Sequence, residues 1–200
     1  MYKWCTRQKT EELHKLYVDK ATNNLNKMLF FGMSAIWGYN VLKDSLWMPW
    51  FLGGQNPEAS IMKLMIKEGD SGFEVIPHGC ICYIFFTYGY HAQGLIEHVF
   101  FKPKQSDYRE LLLHHITTNG LYCGYMMGNL FAVGTIIAWY HDVADIFVSA
   151  SRAANCVGWR VRTWILYITL ITLWIYTRCI IHPIFLYYIH HNYVHPNPAL

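Results

Sequence analysis

Five windows of mostly apolar residues divide this chain, and they limit its fold more than any other feature. They run from about Leu25 to Leu42, Val75 to Phe101, Tyr108 to Met127 and Leu130 to Cys156, followed by the stretch "VRTWILYITLITLWIYTRCIIHPIFLYYIHHNYV". A helix needs about twenty such residues to cross a bilayer. Backbone groups in lipid must bond within their own segment, so the windows predict helices. The last window is long for one span, and Pro183 is expected to kink or break it, because proline lacks an N–H and crowds the preceding turn. Composition agrees: 54% of residues are apolar, 17% aromatic and 14% charged, where a soluble domain carries about a quarter charged. The expected fold is all-α, a multispanning membrane helix bundle of about five helices.

The polar residues divide the chain further. Lys3, Arg7, Lys9, Lys15, Lys20 and Lys27 make a basic start, and residues 1–24 read as an N-terminal arm. Residues 25–193 hold the apolar windows, and 194–200 form a short polar tail. Lys102, Lys104 and Arg109 lie two spans beyond the arm, so both basic segments are expected on the inner side of the membrane. Arg160 and Arg162 fall on the opposite side in a five-span count. Trp47, Trp50 and Phe51 in "WMPWF" read as an interfacial aromatic belt. No apolar signal core follows Met1, and Glu11, Glu12 and Asp19 argue against an acid-poor transit peptide, so the mature fold is expected to begin near Met1. The net charge of +3 calls for no nucleic acid; anionic headgroups suffice as partners of the basic arm. The six cysteines are scattered, and Cys80-x-Cys82 has no second pair at zinc spacing, so they read as packed thiols.

Within this apolar frame, "YRELLLHHITTNG" and "WYHDVADIF" stand out. Ionisable residues in a membrane span are costly to leave in lipid and mark function by default. A hairpin at Gly128-Asn129 would join the third and fourth helices, glycine tolerating positive φ and asparagine suiting a cap. His115 and His141 then lie roughly 18–20 Å from that turn, at nearly one depth. His141, Asp145 and Ser149 fall four residues apart as a stripe, flanked by Asp142 and Arg152, and His114 with Thr118 repeats the pattern. His114 and His115, about 100° apart, can border one cavity without meeting one atom. The bland alternative is interhelical bonding that only holds a bundle together.

A metal is not the expected occupant. Membrane di-iron histidine boxes place another histidine three residues before a pair, and here Leu111 and Tyr187 precede His114 and His190. A His/Asp site for zinc or iron remains chemically conceivable. His91 and His98 could join it or ligate haem, but read more simply as core histidines.

The stretches "SDYRELLLHHITT", "NLFAVGTIIAWYHDVADIFVSASRAAN" and "TRCIIHP" resemble the TLC family, and within it the ceramide synthases. The signature is a His-His pair followed, on the next helix, by His-Asp-x-x-Asp. Supporting matches are an Asn-x-x-x-Val-Gly-Thr turn at Asn129–Thr135, the small-residue run before Asn155, Thr177-Arg178, and "WMPWF" as a Trp-Pro-Trp region. The resemblance covers about Leu25 to Tyr193. It implies N-acylation of a sphingoid base by a fatty acyl-CoA, the latter as substrate, with no cofactor and no metal. His114 and His115 would be the nucleophile/base pair, Asp142 and Asp145 their orienting carboxylates, and His141 would complete the shell.

The sequence also departs from the family. Ala132 stands where an arginine precedes Val-Gly-Thr, and Ser149 replaces an acidic residue. The family's closing barrel helix is not found after "HHNYVHPNPAL", nor is the span that usually precedes the barrel, so the expectation is an incomplete TLC-type barrel. Two functions follow. The favoured one is a non-catalytic accessory or structural subunit of a larger membrane complex, binding lipid and contacting other membrane subunits. The alternative is a ceramide-synthase-like N-acyltransferase acting on sphingoid base and acyl-CoA. The first suits the mitochondrial inner membrane, the second the endoplasmic reticulum.

Overall fold

Helix boundaries follow local chemistry. The computed structural model describes residues 11–57, 77–101, 108–128 and 130–194. Its helices are α1 (Glu11–Leu42), α2 (His78–Phe100), α3 (Tyr108–Met127), α4 (Phe131–Val157), α5 (Arg160–Ile175) and α6 (His182–Val194). A π-helical turn, Tyr176–Ile181, joins α5 to α6 without a break, so five continuous rods result. A short 3-10 turn at Trp50–Leu52 is the remaining helical element, and no strand occurs among the described residues. The all-α expectation holds. Of the five rods, Phe131–Val157 and Arg160–Tyr187 are long and apolar enough to cross a membrane. No α5 residue is buried, and Val161, Trp164, Ile165 and Ile168 are exposed. So continuous an apolar surface suits lipid rather than water.

Several boundaries differ from the sequence reading. α1 starts at Glu11, inside the expected basic arm, because a polar helix needs no apolar window to propagate. Pro183 does not end the last rod. Its missing N–H and its ring disfavour an ordinary turn over Cys179. The chain widens instead, the His182 N–H donating to the Thr177 carbonyl five residues back. The Val-Gly-Thr segment is not a turn but the first turn of α4. Gly134 is needed there for closeness: a Cβ on it would lie 2.8 Å from Tyr125 Cγ. Gly128 closes α3 through an N–H···O bond to Gly124, without positive φ. That conformation occurs instead at Gly53 and Gly158. At Gly158 (φ 80°) the N–H groups of Gly158 and Trp159 donate to Asn155 and Ala154, a Schellman end for α4.

The chain forms two compact units. One is Met1–Ile36 with Trp139–Tyr187, and the other is Trp37–Ala138 with Tyr188–Leu200. In the second, α2 and α3 run antiparallel, Tyr88 facing Tyr122 and His98 facing Tyr108. Trp37 packs edge-on against Tyr83 and Phe86. The expected aromatic belt is divided: Trp47 is buried, whereas Trp50 is 81% exposed. The thiols are not uniformly packed either, since Cys80 is buried and Cys179 exposed. Lys3, Cys5, Arg7, Lys9, Lys102, Lys104, Asn129 and the tail beyond Val194 lie outside the described residues.

Candidate functional site

The five expected site residues divide between the two units. His114 and His115 belong to one, and His141, Asp142 and Asp145 to the other.

In the first group, α3 carries adjacent histidines whose rings lie 5.7 Å apart at 56°. His114 is exposed, while His115 is half-buried and turned toward α2. Gly94 on α2 makes room for it: a Cβ there would sit 3.2 Å from His115 Cε1. His98 lies 5.4 Å from the His115 ring and is buried. Its Nε2 donates to the Tyr108 carbonyl at 3.0 Å, and its ring stacks on Tyr108 at 4.5 Å. A carbonyl can only accept, so this bond assigns the ring proton to Nε2. Asn119 donates both to the His115 carbonyl, at 2.8 Å, and across to the His91 carbonyl, at 3.2 Å. His91 in turn rests 5.4 Å from the Tyr122 ring. His98 is therefore a core histidine beside His115, and His91 a half-buried one bound to α3 through Asn119 and Tyr122. Among the described residues no three His, Cys, Asp or Glu side chains gather as a metal site.

In the second group, α4 presents His141, Asp142 and Asp145 in three different settings. Asp142 is 1% exposed, and its Oδ2 accepts a 2.6 Å hydrogen bond from the Ser34 hydroxyl of α1. One turn earlier, Trp139 Nε1 donates to the Ala35 carbonyl at 2.9 Å. Small residues at Ser34, Ala35 and Ala144 are buried, which allows α1 and α4 to approach closely. Asp145 lies within electrostatic reach of Arg178, Arg152 and Lys27. Arg178, supplied by the π turn, also acts on Tyr140, and its guanidinium lies 6.0 Å from the Trp174 ring. Its Nε is buried with no hydrogen-bond partner among the described residues. His141 is half-buried, its ring 4.7 Å from that of Tyr140. Tyr140 Oη and His182 Nδ1 share a hydrogen bond of 2.5 Å.

The expected stripe of His141, Asp145 and Ser149 holds as helical spacing, with Ser149 buried. Ala132, at the position where the family pattern has arginine, is fully buried. The sequence reading missed Ser34, Tyr140 and His182. A hydroxyl in an apolar helix, a tyrosine among many and a histidine next to proline carry no signal by spacing. Gly94 and Asn119 are equally silent without knowledge of which face α2 turns to α3.

Each group by itself holds ionisable side chains in an apolar frame, imidazoles in the first and a histidine, carboxylates and cations in the second, residue types that serve proton transfer and nucleophilic attack. A TLC domain model matches residues 20–199. Ceramide synthase 4 of Bos taurus is 31% identical over 83 residues, covering 42% of this chain and 21% of that protein. Ceramide synthase hyl-2 of Caenorhabditis elegans is 25% identical over 111 residues, or 56% of this chain and 34% of its own length. Ceramide synthase hyl-1 of the same organism is 24% identical over 157 residues, 77% of this chain and 38% of the relative. The matched stretches thus span about a fifth to two-fifths of these relatives. No solved structure matches the chain. With the domain match running through nearly the whole sequence, the chain belongs to the TLC domain family.

Proposed function

We propose that this protein is a ceramide-synthase-like N-acyltransferase, moving a fatty acyl group from acyl-CoA to the amine of a sphingoid base. What carries the reading is the retention of His114-His115 and His141-Asp142-x-x-Asp145 in a TLC domain whose matched relatives are named ceramide synthases. Those names favour an enzyme over the non-catalytic subunit suggested by the sequence. One of His114 and His115 takes the acyl group from the thioester or accepts the proton of the attacking amine. A C–N bond forms, the C–S bond breaks, and the thiol leaves. Asp145, among cations, supplies the mobile carboxylate charge, whereas Asp142 is tied to Ser34. The proposed setting is the endoplasmic reticulum membrane.

The test is direct. The protein in lipid nanodiscs, given long-chain acyl-CoA and a sphingoid base, should form the N-acyl product. His115→Ala and Asp145→Asn should each lower turnover by about a hundredfold or more, the range for loss of a general acid or base. Absence of any product from well-folded protein would refute the reading and return the accessory-subunit alternative.

A further inference from the structure

Hydrogen bonds set the register of three rods within one compact unit, and that register gathers a cation from each of them. Ser34 and Ala35 of α1 meet Asp142 and Trp139 of α4, so the two helices run antiparallel. Lys27, seven residues before Ser34, therefore stands level with Ser149, seven after Asp142. Arg152 lies one turn further on the Asp145–Ser149 face, about 8 Å short of the end of α4 at Val157. From the last rod, the Tyr140–His182 bond brings Arg178, four residues before His182, level with Asp145. Lys27, Arg152 and Arg178 all lie within electrostatic reach of Asp145. The same register puts Arg160 and Arg162 at the end of the unit where α1 begins, not opposite it as a five-span count places them.

The three cations outnumber the carboxylates beside them, Asp145 and Asp142, and Ser34 already binds Asp142. Arg178 Nε is buried with no hydrogen-bond partner among the described residues. Lys27 and Arg178 are half-buried and Arg152 is exposed, so the group opens outward through Arg152. Surplus charge in an apolar frame is costly, and a bound anion offsets it. We propose that Lys27, Arg152 and Arg178 form a binding site for a phosphate monoester, reached from the end of the unit. Such a group offers three terminal oxygens and a charge of about −1.5 to −2 at pH 7. Guanidinium forks bind it in bidentate fashion, and an ammonium adds a point charge. Asp145 limits its depth by repelling it. Two sources carry this chemistry: the headgroup of a phosphatidic-acid-type lipid and the ribose phosphate of coenzyme A. Binding of either kind stands independently of the acyltransferase reading.

The competing account is that these long side chains only reach out to water and to headgroups in general. Protein in phosphatidylcholine nanodiscs separates the two. One arm adds equal small amounts of phosphatidic acid and phosphatidylserine and reads retained lipid by native mass spectrometry. The other titrates coenzyme A against its dephospho form, which lacks only the monoester. A lipid source gives preference for phosphatidic acid, and a soluble source gives preference for coenzyme A; either supports the site. Lys27→Gln, Arg152→Gln and Arg178→Gln should each weaken the preferred ligand about tenfold, the scale of a charge-assisted hydrogen bond. Asp145→Asn should tighten it by removing a like charge, and Arg160→Gln with Arg162→Gln should leave it unchanged. No preference in either arm would overturn the site. So would wild-type affinity in the three variants, or an equal loss in the Arg160/Arg162 double variant. If Arg178→Gln does not fold, Arg152→Gln decides, because its side chain is exposed. None of these readouts requires turnover, so failure of the site and failure of acyl transfer are told apart.

Discussion

The Ser34 hydroxyl donates a 2.6 Å hydrogen bond to Asp142 Oδ2 across 108 positions of chain, and both residues are buried. A buried carboxylate deprived of one donor keeps its desolvation cost and loses part of its compensation. Ser34→Ala is therefore expected to lower stability by about 1–2 kcal/mol, the scale of interhelical bonds in membranes. Ser34→Thr, which keeps the hydroxyl, should lose less. Thermal unfolding in detergent measures both, and an unshifted midpoint in Ser34→Ala would show that Asp142 is held by other means.

Gly134→Ala should be poorly tolerated. Its new methyl would stand 2.8 Å from Tyr125 Cγ and 3.0 Å from Tyr125 Cβ, atoms too near the backbone to swing aside. Overpacking of this kind costs about 1–3 kcal/mol. Shortening the neighbour with Tyr125→Ala should restore part of the loss, which a double-mutant cycle of melting temperatures would reveal as coupling.

Gly94→Ala probes the His115 ring rather than the scaffold. At 3.2 Å from Cε1 the methyl forces a side chain to move by a few tenths of an ångström. A misplacement of about 1 Å can cost roughly a hundredfold in rate, so this smaller one should cost up to about tenfold. The melting temperature should hardly change. A variant with full acyl transfer would mean that His115 needs no such placement.

Pro183→Ala tests the origin of the π turn. Returning an N–H lets the turn close on Cys179 and relax to ordinary α geometry, rotating Arg178 and His182 relative to α4. Expected are an equal or higher melting temperature and a fall in acyl transfer of about tenfold or more. If activity is retained, the turn persists without its proline.

How much of this was legible beforehand depended on the kind of signal. Apolar windows located α2, α3 and α4 to within a few residues, because burial in lipid or protein demands length and composition together. The start of α1 was hidden, since Glu11–Asn24 is helical without being apolar. Val-Gly-Thr was misjudged because Gly134 serves close packing, not reversal of the chain. The His and Asp residues announced themselves as charges in apolar sequence. Their partners did not: Ser34 is an ordinary small residue until the fold brings α1 to Asp142, and His182 gains meaning only from a turn that no periodicity announces.

The widened turn also divides the last rod into two regimes of mutational tolerance. Ahead of it, α5 turns only a half-buried stripe inward, Thr163, Leu166, Leu170 and Leu173, so its exposed positions can drift among leucine, isoleucine, valine and tryptophan with little consequence. Within it and beyond, Thr177, Ile181 and Phe185 recur every fourth place as buried positions. Deleting one residue between Tyr176 and Ile181 would restore regular winding and leave the later side chains facing as they do now, because the wide turn takes up that one residue. A single-codon loss earlier, within α5, would leave hydropathy almost unaltered, yet it would turn every later side chain by about 100° and change which residues of α6 face inward.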